Sequence, residues 1–242
     1  MEQFIIASFL SAMATGVGAL PVLFFQKATH RWRDILLAFT AGVMVAAATF
    51  ELIPEAIEMS NILIMSVGVL IGIGILTLLE RTIPHIDLSH NQKKINFDQK
   101  SLLIIAAITL HNLPEGLSVG VSYGSGVEGL GPVIAIAIGL QNAPEGLLIA
   151  LFLVQQQVSK WKAFILATLT GAVEIVTAVI GFFLTAYVSG LVPFGLAFAA
   201  GSMLYIVYKE IIPESHGDGH ALSATYAFVF GLLAMIFLTS IF

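Results

Sequence analysis

The chain has 242 residues, of which 58% are hydrophobic and only 10% charged, and its formal net charge is −5. A mean hydropathy of +0.97 excludes a water-soluble domain, and the absence of cysteine excludes thiolate metal sites, disulfides and thiol catalysis. Apolar stretches of about 20 residues, long enough to cross a bilayer, recur along the whole length. Because these stretches do not alternate as barrel strands do, we expect an all-α polytopic membrane protein, surrounded by lipid and without a nucleic-acid partner.

The hydropathy pattern predicts eight transmembrane helices in a single domain, residues 1–242. The first residues lack the positive segment of a signal peptide, so we interpret them as a retained first helix. The predicted spans are Phe4–Phe25, Asp34–Ile57, Ile62–Leu79, Ser101–Tyr123, Gly131–Leu153, Ala163–Val188, Val192–Ile212 and Ala221–Phe242. Helices one to three would occupy residues 1–80, a cytoplasmic loop 81–100, helices four and five 101–155, and helices six to eight 160–242.

Every basic residue falls on one side of this predicted topology. Basic residues follow spans one, three and five and lie at the end of span seven. They are Lys27, Arg31, Arg33, Arg81, Lys93, Lys94, Lys100, Lys160, Lys162 and Lys209. The positive-inside rule makes this side cytoplasmic, so we expect a multi-pass protein of the cell membrane with both termini extracytoplasmic.

The longest loop, between spans three and four, contains His85, Asp87 and His90. These side chains could capture a metal ion loosely. The loop could equally be a solvated connector in which the histidines are incidental.

Span four carries a polar motif, "HNLPEG", inside its apolar run. His111, Asn112 and Glu115 lie at positions i, i+1 and i+4, within one arc of about 100° on a helix. Pro114 removes a backbone hydrogen bond and loosens the turn, and Gly116 permits the close approach of a neighbouring helix. Imidazole, amide and carboxylate would therefore point in the same direction.

Span five repeats this motif as "QNAPEG", with Gln141, Asn142 and Glu145, while span six adds Glu174 and span two offers Met44. Ionisable groups inside a membrane are costly and usually mark a functional site. Taken singly, each of these residues could instead form interhelical hydrogen bonds or pack in the core. The doubled motif favours a ligand site, and a divalent transition metal would satisfy imidazole, amide and carboxylate together.

A second pair of segments, "ELIPE" (51–55) and "EIIPE" (210–214), matches at four of five positions. The two segments lie in spans that cross the membrane in opposite directions. This indicates an inverted repeat of spans one to three and six to eight around a central pair, a 3+2+3 arrangement. Glu51 and Glu55 would line the outer mouth, and the inner mouth would carry Glu210, Glu214 and His216. Taken singly, these would only be helix-end carboxylates beside a proline.

These motifs resemble those of the ZIP (Zrt/Irt-like protein) family of divalent metal transporters, and the resemblance is closest to its prokaryotic GufA-like branch. It covers essentially the whole chain and implies a binuclear metal centre between spans four and five. By position, the first metal would meet Met44, His111, Glu115, Gln141 and Glu145. The second would meet Asn112, Glu115, Asn142, Glu145 and Glu174. Glu210 resembles an acidic position on the family's release path, where relatives often carry a histidine instead of Lys209.

One departure from the family concerns the second metal. Some relatives carry aspartate where this chain has Asn142. Two divalent ions bring four positive charges, whereas Glu115, Glu145 and Glu174 supply three negative ones. We therefore expect one strong zinc site and a much weaker second one.

The sequence thus predicts a non-enzymatic transporter that brings Zn²⁺ into the cytoplasm, with Cd²⁺, Fe²⁺, Mn²⁺ and Co²⁺ as further candidate substrates and no cofactor. One alternative is an intramembrane zinc hydrolase, although the H-E-x-x-H signature is absent. Others are a metal-binding membrane protein without transport, and a transporter that works outward. The glycines Gly16, Gly18 and Gly181 could mediate a homodimer or pack helices within one chain.

Overall fold

The computed structural model describes residues 1–24, 29–82, 97–217 and 219–241, and these form eight long helices without strands. The helices are α1 (Glu2–Leu23, ending in a 3₁₀ turn over Leu20–Leu23), α2 (His30–Glu58), α3 (Ile62–Thr82), α4 (Phe97–Gly124), α5 (Leu130–Gln155), α6 (Lys160–Tyr187), α7 (Val192–Ser215) and α8 (Ala221–Thr239). Each corresponds to one predicted span, so the all-α fold is confirmed.

Among the residues that the structure describes, seven helices are long and apolar enough to cross a membrane. The helix α4 has 28 residues, which is also long enough to cross a bilayer. In α3 and α8 only 17% of the apolar window is buried inside the protein. Such broad exposed apolar faces would be insoluble in water and are suited to contact with lipid.

Two of the helices, α2 and α3, begin with a side-chain cap. The hydroxyl of Thr29 accepts a hydrogen bond from the Trp32 amide at 3.3 Å, before α2. Asn61 does the same for α3, since its Oδ1 accepts from the amides of Leu63 and Ile64 at 3.0 Å each. Both caps satisfy backbone donors that a helix start leaves unpaired.

The eight helices divide into two groups of four. In one group α4 packs on α6, α1 packs on α5, and α1 also contacts α6; in the other, α2 packs on α8 and α3 on α7. The groups meet mainly where α4 contacts α7 and α5 contacts α2. The central helices α4 and α5 thus lie in one group and face the other.

These contacts obey an internal two-fold relation that exchanges α1–α3 with α6–α8 and α4 with α5. The pairing of α4 with α6 corresponds to that of α5 with α1, and the pairing of α2 with α8 corresponds to that of α7 with α3. The start of α6 lies beside the end of α1, where Lys160 Nζ donates to the Leu23 carbonyl at 3.1 Å, so the related helices run in opposite directions. The arrangement agrees with the predicted 3+2+3 inverted repeat.

The related segments ELIPE and EIIPE share an unusual backbone. In α2 the chain is π-helical over Ala47–Leu52, and in α7 it is π-helical over Val207–Ile211. Each π-helical turn ends just before a proline, Pro54 or Pro213. Wide turns of this kind are rare and occur often at functional sites.

Three further contacts join helix ends on the side of the bundle that carries the basic residues, here called the basic side. Arg33 at the start of α2 forms an ion pair with Glu214 at the end of α7. Lys209 of α7 pairs with Glu80 at the end of α3. His220, before α8, lies with Nδ1 3.1 Å from Oδ2 of the buried Asp34. The described ends of α1, α3 and α7 thus share one side with the starts of α2, α6 and α8.

The small residues considered for dimer formation pack within the chain. A side-chain carbon at Gly18 would lie 1.9 Å from the Ala143 carbonyl oxygen of α5. One at Gly16 would lie 2.9 Å from Thr168 of α6. One at Gly181 would lie 2.9 Å from the Leu117 carbonyl oxygen of α4. These glycines allow helices of one chain to approach closely, which favours the second of the two interpretations.

Candidate metal centre

The glycines of the two motifs place α4 and α5 tightly against their neighbours. A side-chain carbon at Gly116 would lie 2.2 Å from the Glu174 carbonyl oxygen of α6, and one at Gly146 only 1.9 Å from the Thr15 carbonyl oxygen of α1. Only glycine permits these approaches. The two contacts correspond under the two-fold relation, so Thr15 holds the position in one half that Glu174 holds in the other, and the centre has a carboxylate on one flank only.

Glu115 of α4 and Gln141 of α5 are joined directly. Nε2 of Gln141 donates to Oε1 of Glu115 at 2.6 Å. Both side chains are completely buried, and Oε2 of Glu115 and Oε1 of Gln141 have no hydrogen-bond partner within the described chain. Two oxygen atoms are thus left available at this contact.

Asn142 of α5 and Glu174 of α6 form a second buried pair. The amide nitrogen of Asn142 donates to Oε1 and Oε2 of Glu174 at 2.9 and 2.8 Å, and it also lies 3.0 Å from the carbonyl oxygen of Ser11. The amide oxygen of Asn142 has no partner among the described atoms. The structure therefore brings spans four, five and six together through the residues that the motifs singled out.

His111 of α4 contacts the other group of helices through Glu210 of α7. Its Nε2 lies 2.8 Å from Oε2 of Glu210, so a residue of the predicted metal centre touches a residue of the predicted release path. The sequence offered no sign of this contact, because the two residues are 99 positions apart. The imidazole is 21% exposed, in contrast to the fully buried Glu115.

The remaining predicted ligands are buried or partly buried. Met44 is completely buried in the main hydrophobic core, and Asn112 is buried with neither of its amide atoms hydrogen-bonded to a described residue. Glu145 is half-buried and lies within electrostatic range of Glu115, Glu174 and His111. Three carboxylates thus lie near one another around α4, α5 and α6.

The predicted ligands can hold a metal ion only if their side-chain amides also coordinate it. Within the described ranges no three His, Cys, Asp or Glu side chains converge closely enough to hold an ion by themselves. The buried oxygens without partners on Glu115, Gln141 and Asn142 are the groups that a cation would satisfy. Carboxylate, amide oxygen and imidazole together suit Zn²⁺ or another divalent transition metal.

The two mouths differ. On the side opposite the basic side, Glu51 and Glu55 are partly exposed, Glu58 is exposed, and none of the three has an ion pair within the described chain. On the basic side Glu214 is already paired with Arg33, and Nδ1 of the exposed His216 lies 3.0 Å from both the Ile212 carbonyl oxygen and Ser215 Oγ. The loop residues His85, Asp87 and His90 lie outside the described residues.

Sequence reasoning missed several residues near the centre. The related segments are longer than ELIPE and EIIPE, because "AGVM" at 41–44 and "AGSM" at 200–203 precede them at the same spacing. Met203 is therefore the two-fold counterpart of Met44, and both are fully buried. Glu80 and Tyr205 carried no motif, and only packing shows that both contact Lys209.

Comparison with known proteins gives one consistent family. A family model described as "ZIP Zinc transporter" matches residues 85–239. The chain is 38% identical to the zinc transporter GufA of Myxococcus xanthus, covering 96% of each chain. It is 31% identical to the zinc transporter ZIPB of Bordetella bronchiseptica, with 93% of this chain and 76% of that protein aligned. It is 30% identical to the zinc transporter ZupT of Streptococcus mutans, covering 97% of each.

Proposed function

The chain belongs to the ZIP zinc transporter family, and from this membership we propose that it carries Zn²⁺ across the cell membrane into the cytoplasm. The observation that carries the proposal is the group of buried oxygens on Glu115, Gln141 and Asn142, which lies in the apolar interior of the bundle. Buried polar atoms without partners are costly, and a transported cation offers them a partner. The metal is the substrate of the protein, and Cd²⁺, Fe²⁺, Mn²⁺ and Co²⁺ are further candidates.

Capture begins at the mouth that contains Glu51 and Glu55. These two carboxylates and Glu58 lack an ion pair in the described chain, and their mutual repulsion is relieved when a divalent cation approaches. We place this mouth on the extracytoplasmic side, because the described basic residues lie at the other end of the bundle. Both termini are then extracytoplasmic.

Binding at the centre replaces the water shell of the ion. Glu115, Glu145 and Glu174 supply negative charge, and the amides of Gln141 and Asn142 would turn their oxygens toward the ion instead of donating to carboxylates. Met44, His111 and Asn112 complete the two proposed ligand sets. We propose one strong site and a weaker second one, because Asn142 supplies no charge.

Release follows the contact between His111 and Glu210. Because His111 already touches Glu210, the metal ion can pass from one to the other with little movement of the chain. Glu214 and His216 lie further along α7. Alternating access would come from movement of one group of four helices relative to the other, since the centre lies where the groups meet.

The test is zinc uptake into proteoliposomes that contain the purified chain. We expect time-dependent uptake in the wild type and a loss of at least about tenfold in Glu115→Gln, which removes the charge of a buried ligand and keeps its size. Glu128→Gln is the matched control, because Glu128 is exposed in the connection between α4 and α5. Zinc binding without uptake would instead indicate a binding protein that does not transport.

A further inference from the structure

The carboxylates at the two ends of the inverted repeat differ in their partners. On the basic side Glu210 lies against His111, Glu214 against Arg33, and Glu80 against Lys209. On the opposite side Glu51, Glu55 and Glu58 have no such partner in the described chain. One mouth thus presents negative charge without ion-pair partners in the described chain. On the other side, each of the three carboxylates is paired with a basic residue.

The most enclosed of these three carboxylates is that of Glu80, which is paired with Lys209. The carboxylate of Glu80 is only 8% exposed. It accepts hydrogen bonds from the Lys209 ammonium and from the Tyr205 hydroxyl. The ammonium lies 2.9 Å from the Tyr205 oxygen and 5.2 Å from the centre of its ring. A buried carboxylate requires a compensating positive charge, and here the chain supplies it.

This cluster lies beside the release path. Lys209 directly precedes Glu210, and the negative charge of Glu80 is close enough to act electrostatically on His111. The two-fold counterparts of Tyr205 and Lys209 in α2 are Ala46 and Phe50. The bound ammonium is therefore a feature of the basic side only, and it breaks the symmetry of the two mouths.

We propose that Lys209 is a tethered counter-cation of the release path. Its ammonium takes the place at Glu80 that a departing metal ion would otherwise occupy, so the ion is released instead of being held a second time. The inference rests on the proposed function for the direction of flow. Its physical basis is simple: a carboxylate already neutralised by an ammonium attracts a divalent cation less strongly than a bare one.

The test compares the equilibrium zinc content and the uptake rate of Lys209→Met with those of the wild type. This substitution keeps the length of the side chain and removes its charge. We expect about one additional zinc ion bound per chain under conditions that saturate the wild type, and a slower initial uptake rate, because the Glu80 carboxylate is no longer neutralised by the ammonium and retains the ion. The matched control is Lys162→Met, another lysine of the basic side, which should match the wild type in both measurements. In Lys209→Met combined with Glu80→Gln the additional ion should disappear.

Unchanged zinc content in folded Lys209→Met would overturn the proposal and leave Lys209 as a structural tie between α3 and α7. If that variant does not fold, Lys209→Gln keeps an amide donor for Glu80, and unchanged zinc content in it would be equally decisive. Wild-type uptake tests the proposed function separately. A wild type that binds zinc without uptake refutes transport, whereas the zinc content of the variants still decides the role of Lys209.

Discussion

His111 and Glu210 meet across the boundary between the two groups of helices, with Nε2 of His111 2.8 Å from Oε2 of Glu210. His111 belongs to α4 and Glu210 to the π-helical turn of α7. A movement of one group relative to the other must therefore break or reform this contact. The contact links the metal centre to the release path in a way that neither helix reveals alone.

The first prediction concerns this contact. His111→Ala and Glu210→Ala should each reduce the zinc uptake rate by about 10–100-fold, the range observed when a group that binds or orients a metal ligand is lost. The uptake rate of the double variant should be little lower than that of the more impaired single variant, because the two residues act together. The measurement is a double-mutant cycle of initial uptake rates in proteoliposomes. Fully multiplicative losses would show that the two residues act independently.

The second prediction concerns pH. Carboxylates and imidazole bind metal only when deprotonated, so protons compete with zinc and zinc affinity should fall as pH decreases. The decrease should be steepest within the range of about pH 5–8 in which imidazole side chains titrate. Zinc titration of the purified protein between pH 5 and 8 measures it, and His111→Gln should flatten the curve in this range. An equally steep curve in the variant would exclude His111 as the titrating ligand.

The third prediction concerns the amide at Asn142. Asn142→Asp replaces a donor to both oxygens of Glu174 by a second carboxylate, so the metal-free protein should lose about 1–3 kcal/mol of stability. Zinc should then raise the melting temperature more in the variant than in the wild type, since a divalent ion compensates the repulsion. Thermal unfolding with and without zinc tests this. Asn61→Asp is the control, because Asn61 is exposed at the start of α3 and its capping oxygen is retained in the variant. Equal zinc shifts in wild type and Asn142→Asp would contradict the assignment of Asn142 to the centre.

The fourth prediction concerns helix packing. In Gly146→Ala the new Cβ would lie 1.9 Å from the Thr15 carbonyl oxygen, and because that atom is backbone, α1 and α5 must separate. We expect a destabilisation of at least about 1–3 kcal/mol. Gly74→Ala in α3 meets no atom within 4 Å and should stabilise the helix by about 0.5–1 kcal/mol. Thermal unfolding of both variants in the same detergent measures the difference. Unchanged thermal stability in Gly146→Ala would mean that α1 and α5 are less closely packed than the structure shows.

The sequence by itself determined the membrane class, the eight helices and the paired motif. Apolar runs of bilayer length and a helical period are local properties, because lipid requires each span to satisfy its own backbone hydrogen bonds. The spacing within HNLPEG and QNAPEG likewise placed the polar side chains on one helix face. The inverted repeat could also be predicted from the sequence, because the segments ELIPE and EIIPE match.

Only the tertiary structure decided which of these polar groups meet. Gln141 bonds to Glu115, Asn142 to Glu174, and His111 to Glu210 on a helix of the other group. The pairing of Lys209 with Glu80 was equally hidden in the sequence. The physical reason is that side-chain contacts between helices depend on axial register and rotation. Both are set by the close approaches at glycines such as Gly116 and Gly146, and not by the hydropathy of any single span.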